Sequence, residues 1–211
     1  MERRVSPETK NDRTVTTSDT VALIAFMVSG AVIAVWTSVT AVARMIEVLP
    51  GRDVPVTAVF DGTPAQAPLG PDGAAVTVEL TTARIIAPEL PAASVAALVI
   101  EQVVLVATVL IVVAALLALT TNIVRGTIFS RTNTALVTTA GVTGVLGFCA
   151  VPFFANMGAN GAFARISNRT FDNVVMSVDL FPLLLLGFIA ALASTVFTVG
   201  ARLQRETVGL V

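Results

Sequence analysis

The residues that could do chemistry in this chain are few, and what is missing narrows the field as much as what is present. Among 211 residues there is no histidine and a single cysteine, Cys149. Histidine-ligated zinc, haem or copper, a Ser-His-Asp triad and a histidine proton relay therefore cannot be built from this chain alone. One thiol excludes an intramolecular disulfide and any metal site needing two cysteines, and inside an apolar run it reads as a small buried hydrophobe. No phosphate-cradling glycine loop, dinucleotide fingerprint or nucleophile and base pair is present. The reading is of a non-enzymatic protein with no catalytic residues, no cofactor and no metal.

What remains are ionisable groups inside or beside apolar runs, where charge is costly and often functional. Glu101 lies about two turns into one such run, Asp179 opens another, and Arg44 and Glu47 close a third at i,i+3 helical spacing. Arg44, Glu47, Glu101 and Asp179 are expected at one membrane interface. They read either as an entry site for a cation or proton, or as an interhelical ion-pair cluster in which Arg44 pairs with Glu47 or Glu101. No acid falls at mid-membrane depth, where a transport relay would need one, and this favours the ion-pair reading.

The elements that must position these groups follow from composition. The chain is 55% hydrophobic and 13% charged, against roughly 25% charged in soluble domains. A helix needs about 20 apolar residues to cross a hydrocarbon core ~30 Å thick, and residues 20–48, 95–124, 132–156 and 179–201 each supply such a run. The predicted fold is an all-α integral membrane protein with four transmembrane helices. Around the helices lie a flexible leader (1–19), a first outer loop (49–94), a short turn (125–131), a second outer loop (157–178) and a tail (202–211). The first run follows a long leader carrying both signs of charge, so it reads as an uncleaved anchor, although "AVA" at 41–43 mimics a signal cleavage site.

Arginine orients the chain. Arg3, Arg4, Lys10 and Arg13 in the leader, Arg125 and Arg131 in the turn, and Arg202 and Arg205 in the tail put eight of the 13 basic residues on one face. Both termini are expected to be cytoplasmic. The net charge of −1 gives no footprint for direct nucleic-acid binding. The bilayer is the one partner that composition requires.

The first outer loop carries its own pattern. In "AAVTVELTTARII", Val76, Val78 and Leu80 alternate with Thr77, Glu79 and Thr81, the period of a strand with one covered face. "VPVTAVF" reads as a shorter partner strand with Pro55 confining it to an edge, and "DGTPAQAPLGPDG" between them is dense in turn formers. A small extracytoplasmic β-hairpin between helices one and two is expected, packed on the helices, the second outer loop or another chain. The second loop mixes Asn, Gly and amphipathic pieces, with room for a brief interfacial helix, and "NRT" at 168–170 fits the N-glycosylation pattern.

Within the spans, Gly141, Gly144 and Gly147 would let a neighbouring helix approach closely. The turn itself, "RGTIFSRTN", is legible residue by residue. Gly126 stops the second helix, Ser130 caps the third, Arg125 and Arg131 sit at headgroup level, and Phe129 can dip its ring into the interface. Phe129 and Asn133 are not needed for stopping one helix and starting the next, so they mark where function would lie.

"GTIFSRTNTALVTTAG", with Gly126, Phe129, Ser130, Asn133, Leu136 and Gly141, resembles the inner-loop motif of the DUF2975 family of uncharacterised bacterial four-helix membrane proteins. The tail "FTVGARLQRETVGLV", with Gly200, Leu203, Glu206, Leu210 and Val211, is similar to that family's ending. Ile128, Ala135 and Val208 depart from its pattern, which puts a basic inner loop in doubt. The resemblance implies a protein of the bacterial inner membrane serving as partner to a cytoplasmic regulator. Arg125, Gly126, Phe129, Ser130 and Asn133, together with Arg202, Gln204, Arg205 and Glu206 of the tail, are the expected interaction residues. Two further readings stand beside it: a small transporter or channel subunit whose pathway forms between protomers of a homo-oligomer, and an accessory subunit of a larger membrane complex.

Overall fold

The computed structural model describes residues 17–169 and 179–208, with side chains described for these except residues 17–20, 61 and 205–208. The chain runs through α1 (Thr17–Val48), β1 (Arg52–Pro68), β2 (Ala75–Glu89), α2 (Ala92–Val124), α3 (Arg131–Ile166) and α4 (Leu180–Val208). All four helices are long and apolar enough to cross a membrane. Most of the leader, the glycosylation-like pattern at Thr170, and Leu210 and Val211 of the tail lie outside the described residues.

One boundary differs from expectation. Residues 157–166, read from sequence as the start of the second outer loop, continue α3 to Ile166. Their Gly and Asn content disfavours helix in isolation, but the glycines face α2. A Cβ on Gly158 would stand 2.3 Å from Leu98 Cδ2, and one on Gly161 would stand 1.6 Å from Ser94 Oγ. Glycine is what lets α2 and α3 run this close, and the packing gained overrides the propensity lost. The seam continues through Thr108 against Gly147 to a hydrogen bond between Asn122 and Asn133 at the far end. The paired residues climb one helix as they descend the other, so α2 and α3 are antiparallel neighbours over most of their length.

Next to this pair, α3 meets α4 through Gly141 against Ala190 and a 2.7 Å hydrogen bond between the hydroxyls of Thr138 and Ser194. On the other side, α1 packs on α2 where Gly30 meets Val113 and Leu117. Packed interfaces thus run α1 on α2, α2 on α3 and α3 on α4, while α1 and α4 share none. Among the described residues the helices form an open row, not a closed bundle. Large apolar side chains such as Trp36 and Phe181 stand more than two-thirds exposed, as expected where lipid tails replace a protein core.

The hairpin is longer than its sequence suggests. Residues 61–68, read as turn, are strand, and the reversal is confined to the stretch around a 3₁₀ turn at Pro71–Gly73. There Asp72 (φ 57°) and Gly73 (φ 78°) both take left-handed backbone. The two strands pair antiparallel, with a register shift between Val59 and Thr63. Pro55, Pro64 and Pro68 all fall on β1, and each strand of a two-stranded sheet has an open edge where a missing N–H is tolerated.

The register shift also moves the covered face. Val78 and Leu80 are half-buried as the alternation predicts, but Val76 is 42% exposed, and nearer the helices the shielded positions are Ala83, Ile85 and Ala87. Ala87 joins Val54, Val56 and Ala58 of β1 in one buried cluster with Val48, Leu90, Leu98, Ala159, Ala162 and Phe163. Phe60 meets Phe163 edge-on at 5.3 Å. The hairpin therefore packs on the helices, and the extra turns of α3 are its platform. At about 1.5–3 kcal/mol per buried Val, Leu or Phe, this cluster is the largest source of apolar stabilisation outside the spans.

Arg165 on the α3 extension pairs with Glu89 at the end of β2, both side chains being more than half exposed. The Arg165 guanidinium, through its hydrogen bond and then its charge, holds the Glu89 carboxyl below the usual carboxylate range, with Arg52 adding to the effect. A carboxyl whose pKa is depressed by folding stabilises above its unfolded pKa, and that contribution is lost as pH falls through the folded one. Stability should therefore decline on acidification through and below the ordinary carboxylate range. Glu89→Gln should give a shallower decline, as checked by thermal melts of the detergent-solubilised protein at stepped pH. Gly161→Val should cost about 1–3 kcal/mol by overpacking against Ser94. Gly187→Ala, whose Cβ would meet nothing within 4 Å, should cost far less in the same melts.

Candidate functional site

The turn between α2 and α3 is built as its residue types dictate. Gly126, at φ 80°, ends α2 with two bonds: its own N–H to the Ile123 carbonyl (2.9 Å) and the Thr127 N–H to the Asn122 carbonyl (2.9 Å). These are the paired bonds of a Schellman stop, which needs a left-handed residue where Gly126 stands. Ser130 is extended, and its Oγ accepts the Asn133 N–H at 3.1 Å, capping α3.

Asn133 has a structural role that its sequence context did not show. Its side chain is fully buried. Nδ2 donates to the carbonyls of Thr127 (2.7 Å) and Ile128 (2.8 Å), and Oδ1 accepts from Asn122 Nδ2 (2.7 Å). One amide thus satisfies two turn carbonyls and ties the end of α2 to the start of α3. Asn122 was missed from sequence; the signal was a second amide, polar and unexplained, in the last turn of an apolar helix.

Phe129 packs on α4. Its ring lies over Gly200, where a Cβ would stand 2.4 Å from Phe129 Cδ1, and against Phe197 at 5.8 Å between centroids. The turn is therefore seated on the last turns of α4. Arg125, Gly126, Ile128 and Arg131 of the turn are exposed, as are Arg202 and Gln204 of α4, so both segments present outward at this end of the row. The side chains of Arg205 and Glu206 lie outside the described residues.

At the opposite end three of the four charged residues expected to cluster are neighbours, Arg44, Glu47 and Glu101. Arg44 pairs with Glu47 at 2.5 Å and also donates to the Pro55 carbonyl, which ties α1 to β1. Arg84 of β2, not anticipated from sequence, approaches the same Glu47 at 3.9 Å. Glu101 feels the charge of Arg44 and a hydrogen bond from Gln102. Asp179 does not join them; it sits at the mouth of a separate crevice among α2, α3 and α4. Among the described residues no three metal-ligating side chains converge.

The charged groups mark two levels on the helices. From Glu101 to Arg125 on α2, and from Asp179 to Arg202 at the head and end of α4, the chain covers some two dozen positions, about 36 Å of helix, slightly more than the ~30 Å hydrocarbon core. The hairpin, the first turns of α2 and the α3 extension lie beyond one level, and the turn lies at the other.

Four apolar helices bounded in this way fit a multi-pass membrane protein. Compared with protein-family models, curated proteins and solved structures, the chain finds no match.

Asn133→Ala should remove the amide that the Thr127 and Ile128 carbonyls and Asn122 share, and cost about 1–3 kcal/mol. It should be read as a lowered melting temperature together with faster amide exchange across 127–131, whereas exchange in the hairpin stays unchanged.

Proposed function

We propose that this protein is a non-enzymatic membrane protein that acts as an interaction or regulatory partner, docking a cytoplasmic protein on the surface shared by the 125–131 turn and the end of α4. The observation that carries this reading is the seating of Phe129 on Gly200 and Phe197. That contact fixes two segments distant in sequence as neighbours, with Arg125, Arg131 and Arg202 exposed beside Ile128. Exposed guanidinium groups beside an apolar side chain suit a partner presenting carboxylates around an apolar anchor. The arginine distribution supports a cytoplasmic position for this surface. The resemblance to the DUF2975 family rests on the same residues and supports a partner of regulatory kind.

The residues of that motif also have structural work here: Gly126 and Ser130 define helix ends, Asn133 holds the turn and Phe129 seats it. The part of the surface available to a partner is what this frame presents outward. An accessory role in a larger membrane complex, or a homo-oligomer, is a second reading, supported by the open row that leaves faces of α1 and α4 without a helix against them.

Pull-downs from native membranes with wild type should recover a cytoplasmic protein that is lost when Phe129→Ala is combined with removal of residues 206–211. A photoreactive side chain at Ile128 or at Gln204 should label that same protein, while one at Leu69 on the hairpin should not. Recovery of the same proteins by wild type and variant, or labelling of unrelated proteins from 128 and 204, contradicts the reading.

A further inference from the structure

The crevice at Asp179 is not used by the docking surface, and its lining has a definite chemistry. It holds about 400 Å³ among Leu105 and Thr108 of α2, Gly144, Gly147 and Phe148 of α3, and Asp179 at the head of α4, within the size range of small-ligand sites. Asp179 is exposed, and its carboxylate has no ion-pair partner among the described residues. Gly144 lies two turns deeper along α3 than Pro152, about 12 Å toward the middle of the span. A Cβ there would meet only Leu186, at 4.0 Å, so the missing side chain leaves the depth of the crevice open and apolar.

Hydrogen-bond acceptors also line the crevice. Pro152, inside α3, has no N–H for the Phe148 carbonyl four residues back. Thr120 and Thr121 each donate to the carbonyl four residues back, but no such bond is made by Thr108, whose Oγ1 is held beside Gly147. A primary ammonium has N–H bonds to donate to a carboxylate and to neutral acceptors such as a carbonyl. Among the described residues no basic side chain lines the crevice, so an anionic headgroup finds no partner there, and a quaternary ammonium has no N–H to donate.

We propose that this crevice binds an amine-headed membrane lipid, with its ammonium group at Asp179, assisted by the Phe148 carbonyl, and one acyl chain along Gly144. The charge selects the head, and the bare surface at Gly144 admits the chain.

The test is native mass spectrometry of the full-length protein released from nanodiscs of equal phosphatidylethanolamine and phosphatidylcholine with identical chains. Wild type should retain the ethanolamine lipid about tenfold over the choline lipid, roughly the worth of one charge-assisted hydrogen bond. Asp179→Asn should abolish the preference, Asp179→Glu should keep most of it, and Gly144→Leu should reduce retention of lipid altogether. Equal retention of both lipids by wild type would show an ordinary annular site and overturn the proposal. So would Asp179→Asn with its preference intact. The wild-type comparison decides the matter even if a variant does not fold.

Discussion

The distance between α2 and α3 is the constraint on which the rest of this structure depends. At Gly147, Gly158 and Gly161 an added Cβ would collide with Thr108, Leu98 or Ser94, so side chains of α2 pack directly on bare α3 backbone. In lipid, association of helices rests on packing and interhelical hydrogen bonds because there is no water to expel. A glycine seam therefore does the work that apolar burial does elsewhere, and it also fixes the register of the pair. With the register fixed, Asn122 meets Asn133 at one end, and at the other the α3 extension stands beside α2 as a platform for the hairpin.

Each end of the molecule then uses a different kind of force. At the hairpin end, Val48, Val54, Val56 and Phe163 are buried in one apolar cluster, and the hydrophobic effect holds it together. An isolated two-stranded hairpin would be marginal; this one is stable because Ala159, Ala162 and Phe163 complete its core. At the turn end there is little to bury, and the geometry rests on directed bonds: a Schellman stop, a serine cap and an amide that serves three partners. Phe129 carries that rigidity across to α4, which otherwise meets only α3.

Much of this was legible in the sequence, for reasons that differ by element. The four spans follow from length and hydrophobicity alone. Gly126 and Ser130 could be assigned because stopping and starting a helix each demand a particular residue type. The α3 extension could not, since "NMGANGAF" has the local preference of a loop and becomes helix only against α2. Residues 61–68 were masked in the same way by proline and glycine, which an open sheet edge accepts. Asn133 was marked as a place to look for function, but its structural role was not legible, because two of its partners are backbone carbonyls whose position no pattern encodes. Asp179 was grouped with Arg44 and Glu101 by depth along the helices, which sequence gives, whereas separation across the row is a property of packing order.

The central claim is that order: α1, α2, α3 and α4 side by side, with α1 and α4 apart. Disulfide trapping in native membranes tests it most directly, with Cys149→Ala as background. Thr138→Cys paired with Ser194→Cys replaces two hydroxyls that lie 2.7 Å apart, and Gly30→Cys paired with Val113→Cys replaces another close contact; both pairs should oxidise readily within one chain. Val32→Cys with Leu192→Cys, at similar depth on α1 and α4, should give no intramolecular bond. Efficient trapping of that α1–α4 pair within one chain, or failure of the α3–α4 pair, would contradict the open row.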